Sequence, residues 1–127
     1  MKTAIKERVF HFRRPARTSR GVYTERRSWM VELSEDGRVG VGECAPLPDL
    51  SCDAVSNYGI VLASFCKRLE ETGRIDYEAM RPFPSMLFGL ETAWLTLHHG
   101  DRLFDTSFSR GESGITINGL VWMGTFN

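Results

Sequence analysis

Apolar residues alternate with polar ones over the first third of this 127-residue chain and recur at helical spacing through its middle. Ile5 to Phe12 mixes aromatic and β-branched residues, which suits a strand. Pro15 is expected to limit how far that strand pairs, because proline lacks a backbone donor. Trp29, Val31 and Leu33 then alternate with Met30 and Glu32, the period of a strand with one buried face. Asp36-Gly37 predicts a tight hairpin turn, since both residue types tolerate positive φ, and Val39 and Val41 continue the alternation after it. Together these segments predict three antiparallel strands in a meander.

The pattern changes at Cys44-Ala45-Pro46-Leu47-Pro48, where two prolines remove backbone donors and impose an extended, irregular connection. Val55, Tyr58, Leu62, Phe65 and Leu69 follow at helical spacing, with Ser51 or Asp53 as the expected N-cap and Gly73 as the expected close. A short helical turn is expected around Tyr77 to Met80. A third helix is expected after Pro84, capped by Ser85 and running through Met86, Leu87, Leu90, Trp94 and Leu97 to Gly100. This helix is apolar nearly all round, which in so small a domain implies a neighbouring domain or subunit. Strands first and helices afterwards make the fold class α+β rather than alternating βαβ units.

Ser107 to Gly114 is rich in Ser and Gly and reads as a linker. Ile115 to Val121 reads as a further strand, with nothing between it and Asn127 to pair with. The expected organisation is one small domain at 1–106, a linker at 107–114, and at 115–127 the first strand of a second, larger domain that would carry the chemistry.

Composition bears on function more than on fold. Apolar residues at 42% and charged residues at 25% lie near the globular average, and 16 basic residues balance 16 acidic ones. Net charge therefore offers no attraction to nucleic acid or to an anionic membrane, and neither is expected as a partner. Lys2 and a charged stretch follow Met1 where a signal sequence would be apolar, and no run approaches the roughly 18 apolar residues of a membrane span. The expected location is the cytoplasm.

The glycines of Gly37-Arg38-Val39-Gly40-Val41-Gly42 lie in a hairpin and strand, without the helix N-terminus that a phosphate cradle requires. Glu43, Asp49 and Asp53 could gather around a cation, but no other ligands stand at matching spacing, and no metal residue is assigned. Cys44, Cys52 and Cys66 contain no Cys-x-x-Cys pair and are expected to be reduced, buried small hydrophobes. His98 and His99 are adjacent, so on a helix they point about 100° apart and cannot share a metal. Arg13, Arg14, Arg17 and Arg20 form a local concentration of charge around the first turn. Arg is the side chain best shaped to clamp a carboxylate, although a solvated loop is the plainer reading.

Gly40-Val41-Gly42-Glu43-Cys44-Ala45-Pro46-Leu47-Pro48 followed by Ser51 resembles the Gly-x-Gly-Glu-x-Ala-Pro-Leu-Pro segment of the o-succinylbenzoate synthases, muconate-lactonizing-type members of the enolase superfamily. Pro84 to Ala93 resembles the last capping-domain helix of that family, and Ile117-Asn118-Gly119-Leu120 its first barrel strand. Where the family commonly has Gly and an aromatic residue after the second proline, this chain has Asp49-Leu50. The resemblance implies a capping domain of three antiparallel strands followed by helices, joined to a modified TIM barrel of which only the first strand is present. The implied reaction is dehydration of 2-succinyl-6-hydroxy-2,4-cyclohexadiene-1-carboxylate to 2-succinylbenzoate, a step towards menaquinone.

In such enzymes a lysine pair and an acid-bound Mg²⁺ lie at barrel strand ends. None of those positions falls within this sequence, so no catalytic residue is assigned here, no Mg²⁺ is expected on this chain, and no turnover is expected of it alone. The resemblance instead implies a lid of two loops. One is Arg17-Thr18-Ser19-Arg20-Gly21, whose arginines would meet a succinyl carboxylate, and the other is Leu47-Pro48-Asp49-Leu50-Ser51, an apolar edge suited to a ring. The candidate substrate-binding residues are Arg17, Ser19, Arg20, Gly21, Leu47, Pro48 and Leu50. The implied partners are the barrel domain and a small carboxylate substrate.

Two other readings stay open. One is the capping domain of a sister enzyme, a dipeptide epimerase or an N-acylamino acid racemase. The other is a stand-alone protein-interaction module. Without a barrel, Leu120, Val121 and Trp122 would be exposed, and copies of the chain are expected to self-associate.

Overall fold

The computed structural model describes residues 1–119. Strands β1 (Lys2–Thr18), β2 (Gly21–Glu35) and β3 (Arg38–Cys44) form one antiparallel sheet in the order β1-β2-β3. Helices α1 (Tyr58–Thr72), α2 (Tyr77–Met80) and α3 (Pro84–His99) follow, giving the expected α+β meander and helices.

Asp36 and Gly37 turn the chain with φ of 50° and 75°, the mirror-image turn that this dipeptide favours. Because the turn has two residues, Leu33 pairs with Gly40 and Val31 with Gly42. Val39 and Val41 therefore fall on the open face of the sheet, 54% and 42% exposed, while Gly40, Gly42 and Cys44 share the core face with Val31 and Leu33. With no side chains at 40 and 42, α3 lies directly on β3. A Cβ on Gly42 would collide with the Gly89 carbonyl and come within 2.8 Å of the Ala93 nitrogen, and one on Gly40 would come within 2.7 Å of Leu97 Cβ. The closely spaced glycines thus serve a helix-on-strand contact. Thr96 completes the seam, its hydroxyl oxygen accepting the Val41 N–H at 2.9 Å along the outer edge of β3.

The core combines Val31, Leu33 and Cys44 of the sheet with Leu62, Cys66 and Leu69 of α1, Met80 of α2, and Met86, Leu90, Ala93 and Leu97 of α3. Trp29 stacks on Tyr58, with ring centroids 4.3 Å apart, beside Pro46 and Pro48.

Several expectations change. β1 does not stop near Pro15. Its ladder pairs His11 with Glu25 and resumes at Ala16 with Tyr23, so residues 12–15 stand opposite Thr24 alone. This bulge absorbs the proline and lets the strand run on. Neither expected cap serves α1, whose N-cap Asn57 makes no side-chain cap bond. Ser51 instead accepts the Leu47 N–H, and Asp53 accepts from Ser85 at the start of α3. Ser85 is thus a donor within the first turn of α3 rather than its cap, and Val55 precedes α1. Gly73 closes α1 at φ 68°, and α2 forms as expected with Asp76 accepting the Ala79 N–H at 3.0 Å. Cys44 and Cys66 are buried, but Cys52 is exposed because it sits in the irregular connection before α1 and on no apolar stripe.

Ser107 to Gly114 is a series of turns, tied in part by Arg110 to Asp105 at 2.7 Å and to Glu112 at 2.8 Å. Of the strand expected at Ile115 to Val121, residues 115–119 carry no strand pairing, and Leu120 and Val121 lie outside the described residues.

Candidate functional site

β1 and β2 meet in a two-residue turn, Ser19-Arg20, flanked by the Thr18–Gly21 pair. The Thr18 hydroxyl oxygen accepts the Arg20 N–H at 3.1 Å, and the hydroxyl donates to the Gly21 carbonyl at 3.4 Å, so the tip is tied by its own side chain. The Pro-rich connection is tied in a similar way. The Leu50 and Ser51 N–H groups donate to the Leu47 carbonyl at 3.2 and 2.9 Å, and the Ser51 hydroxyl accepts the Leu47 N–H at 2.9 Å. These two turns touch. Arg20 Nη1 donates to the Asp49 carbonyl at 3.3 Å, and the Tyr23 hydroxyl donates to Asp49 Oδ2 at 3.4 Å. Deeper along β2, Arg26 Nη2 donates to the Ala45 carbonyl at 3.0 Å.

Between the turns lies a cavity of about 360 Å³. Thr18, Ser19, Arg20, Tyr23 and Arg26 line its hairpin side, and Leu47, Pro48 and Leu50 form its apolar wall. The hairpin is strongly basic. Lys6, Arg8, Arg13, Arg14, Arg17, Arg20, Arg26 and Arg27 face only Glu7 and Glu25 between positions 6 and 27. Glu25 also lines the cavity, but its carboxylate is 3.5 Å from Arg27, which in turn is 2.9 Å from Glu7. Among the described residues, no carboxylate lies within salt-bridge distance of Arg20 or Arg26, whose hydrogen bonds go to backbone carbonyls. Each guanidinium keeps free N–H donors, so the cavity suits a molecule with a carboxylate at one end and an apolar ring at the other.

Among the described residues no group of three or more His, Cys, Asp or Glu comes together as metal ligands, and Glu43, Asp49 and Asp53 form no such group. Cys44, at the start of the Pro-rich connection, is pushed up to about 12 by burial and then by the neighbouring Cys66, which leaves it a thiol and a poor nucleophile at neutral pH. Burial also pushes the Tyr58 hydroxyl up, against the opposing pull of its bond to Ser85.

A family model described as "MenC, N-terminal domain" matches residues 15–97. The chain belongs to this family. It is 36% identical, over a 146-residue alignment, to an o-succinylbenzoate synthase of Desulfotalea psychrophila, covering 89% of this chain and 40% of that protein. An o-succinylbenzoate synthase of Vibrio cholerae is 34% identical over 70 residues, 55% of this chain and 20% of that protein. The crystal structure of MenC from Desulfotalea psychrophila superposes with a TM-score of 0.74 at 28% identity, over 98% of this chain and 42% of that one. An o-succinylbenzoate synthase structure from Thermosynechococcus elongatus, complexed with Mg in its active site, shares the fold with a TM-score of 0.61 at 24% identity, over 83% of this chain and 32% of that one. The chain spans less than half the length of each of these proteins.

Within this MenC domain, the structure brings together five of the seven expected residues: Ser19, Arg20, Leu47, Pro48 and Leu50. Arg17 and Gly21 are not in the cavity lining. Arg17 lies between Ala16 and Thr18, which both face the cavity, so the pleat turns it to the opposite side. Phe12, Ala16, Tyr23, Glu25 and Arg26 line the cavity without having been expected there. A two-residue turn at Ser19-Arg20 would have placed Ala16 and Tyr23 beside Thr18, but that dipeptide carries none of the Gly or Asn chemistry that marks such turns.

Proposed function

We propose that this chain is the lid domain of an o-succinylbenzoate synthase and closes over a barrel domain that holds the reacting groups. The observation that carries the reading is the family match over residues 15–97. In this reading residues 1–106 are the capping domain, 107–114 the connection and 115–127 the opening strand of the barrel. The reaction is loss of water from 2-succinyl-6-hydroxy-2,4-cyclohexadiene-1-carboxylate to give 2-succinylbenzoate, on the way to menaquinone. The enzyme works in the cytoplasm. Among the described residues, no helix is long and apolar enough to cross a membrane.

Arg20 and Arg26 hold a substrate carboxylate through their free guanidinium N–H groups, while Leu47, Pro48 and Leu50 lie against the ring. Closure of the two turns over the barrel removes water from the site and fixes the orientation of the substrate before reaction. Proton transfer belongs to the barrel. Mg²⁺ is assigned to the barrel as well, in keeping with the Thermosynechococcus elongatus enzyme, which is complexed with Mg in its active site.

A hybrid of residues 1–114 with the barrel of the Desulfotalea psychrophila enzyme tests the reading. The expected result is release of 2-succinylbenzoate by the hybrid and none by the barrel without a lid. A folded hybrid that epimerises dipeptides or racemises N-acylamino acids, but does not dehydrate the cyclohexadiene, would overturn it.

A further inference from the structure

We propose that Asp49 is a positioning residue, fastening the hairpin tip to the Pro-rich turn and thereby fixing the Arg20 guanidinium in the cavity wall. The inference rests on the lid reading above and deepens it.

The tip needs such a fastening. It lies beyond the bulge at residues 12–15, so the ladder that would hold it to the body of the sheet is interrupted on β1. The Pro-rich turn is a firm anchor, because the Leu47 carbonyl and the Ser51 hydroxyl already close it from within. Asp49 presents both of its acceptors to the tip, the carbonyl to Arg20 and the carboxylate to Tyr23.

Backbone geometry points the same way. Asp49 adopts φ 61°, a left-handed conformation in which glycine carries no steric cost. The other described non-glycine residue with positive φ is Asp36, in the hairpin turn where that conformation is required. At position 49 the carboxylate makes a bond to Tyr23 that glycine could not make. Arg20 spends one N–H on the Asp49 carbonyl and keeps the others. A guanidinium held in place before binding loses less rotamer freedom when a carboxylate arrives, which strengthens binding without altering the chemical step.

Three variants of the 127-residue chain test the latch by ¹⁵N relaxation of the amides at 20–22. Asp49→Gly keeps the backbone conformation and removes the carboxylate. Tyr23→Phe removes the same bond from the other side, without adding flexibility at 49. Asp49→Asn keeps an acceptor and tolerates the left-handed conformation. Order parameters are expected to fall from about 0.85 to below about 0.6 in the first two variants and to stay high in the third. Unchanged order at the tip in both Asp49→Gly and Tyr23→Phe would overturn the proposal.

In the hybrid enzyme, Asp49→Gly is expected to raise KM for the dicarboxylate about tenfold with kcat within about twofold, and Asp49→Asn to restore both. A loosened tip with unchanged KM would leave the latch standing and overturn the reading of Arg20 as a substrate contact.

Discussion

Oδ2 of Asp53 accepts both the N–H of Ser85, at 2.8 Å, and its hydroxyl hydrogen, at 2.6 Å. Asp53 is 1% exposed, and Ser85 in turn shares a hydrogen bond of 2.6 Å with the Tyr58 hydroxyl. A residue from the connection after the Pro-rich turn therefore caps α3 from a distance and joins it to α1. Asp53→Ala leaves the α3 amide and the Ser85 hydroxyl without this acceptor, and is expected to cost about 2 kcal/mol. Ser85→Ala keeps the N–H bond and should cost about half as much. Urea denaturation of the two variants checks the order, and equal stability of Asp53→Ala and the parent would refute the cap.

The β3–α3 seam makes a sharper prediction. Gly42→Ala drives a methyl into the Gly89 backbone, and Gly89→Ala drives one into the buried Cys44 sulfur and against the backbone of Cys44 and Glu43. Each is expected to destabilise by about 3 kcal/mol, since the Gly42 methyl meets only backbone and the Gly89 methyl meets backbone behind a fully buried sulfur. Gly37→Ala meets nothing within 4 Å and suffers only from its φ of 75°, so about 1 kcal/mol is expected. A denaturation series that ranked Gly37→Ala as the most damaging of the three would contradict the contact.

Thiol chemistry separates the cysteines. Cys52 is exposed and should react with a disulfide reagent at pH 8, while Cys44 and Cys66 should react only as the chain unfolds. Burial pushes both thiols from 9.0 up to about 12, Cys44 helped next by Cys66 and Cys66 by Glu70. A folded value raised above the unfolded one means that the unfolded chain gives up these protons first. Stability from this source is fully present below about pH 9 and declines as pH rises towards about 12. Labelling of three thiols in the folded chain at pH 8, detected by mass, would contradict this assignment.

The two arginines of the first turn should behave differently in the hybrid enzyme. Arg20 lines the cavity and Arg17 does not. Arg20→Ala is expected to raise KM for the dicarboxylate about tenfold or more, and Arg17→Ala to leave KM within about twofold. Steady-state kinetics decides the matter, and equal losses for the two would mean that the pleat does not set their roles.

The basic hairpin should also steer an anionic substrate. With eight basic residues against two acidic ones between positions 6 and 27, kcat/KM is expected to fall as salt rises while kcat stays level. A flat salt profile would assign those arginines to solubility alone.

Much of the fold was legible because local chemistry and tertiary structure agree. Asp36-Gly37 makes its turn, Gly73 ends α1, and α2 spans Tyr77–Met80. The failures have physical causes. The buried face of β3 is made of glycines, which carry no hydrophobic signal, so Val39 and Val41 drew attention to the face that solvent sees. Asp53 had the composition of a local cap, but its partner is 32 residues away, a distance that no local rule reads. The candidate site was half legible for a related reason. The prolines mark one wall by sequence alone, whereas Ala16 and Tyr23 enter only through the register of a turn with no glycine at its two central positions.

The bulge opposite Thr24 has a consequence for how this domain can change over generations. In an unbroken ladder, gaining or losing one residue turns every later side chain to the wrong face. Here the count restarts at Ala16–Tyr23, with four residues on β1 against one on β2. The slack lies between the part of the hairpin that lines the cavity and the part where Ile5, Val31 and Gly42 stand in one row. Insertions and deletions at the tip can be absorbed there, so the cavity wall is free to be re-sized while the row beneath α3 keeps its alignment.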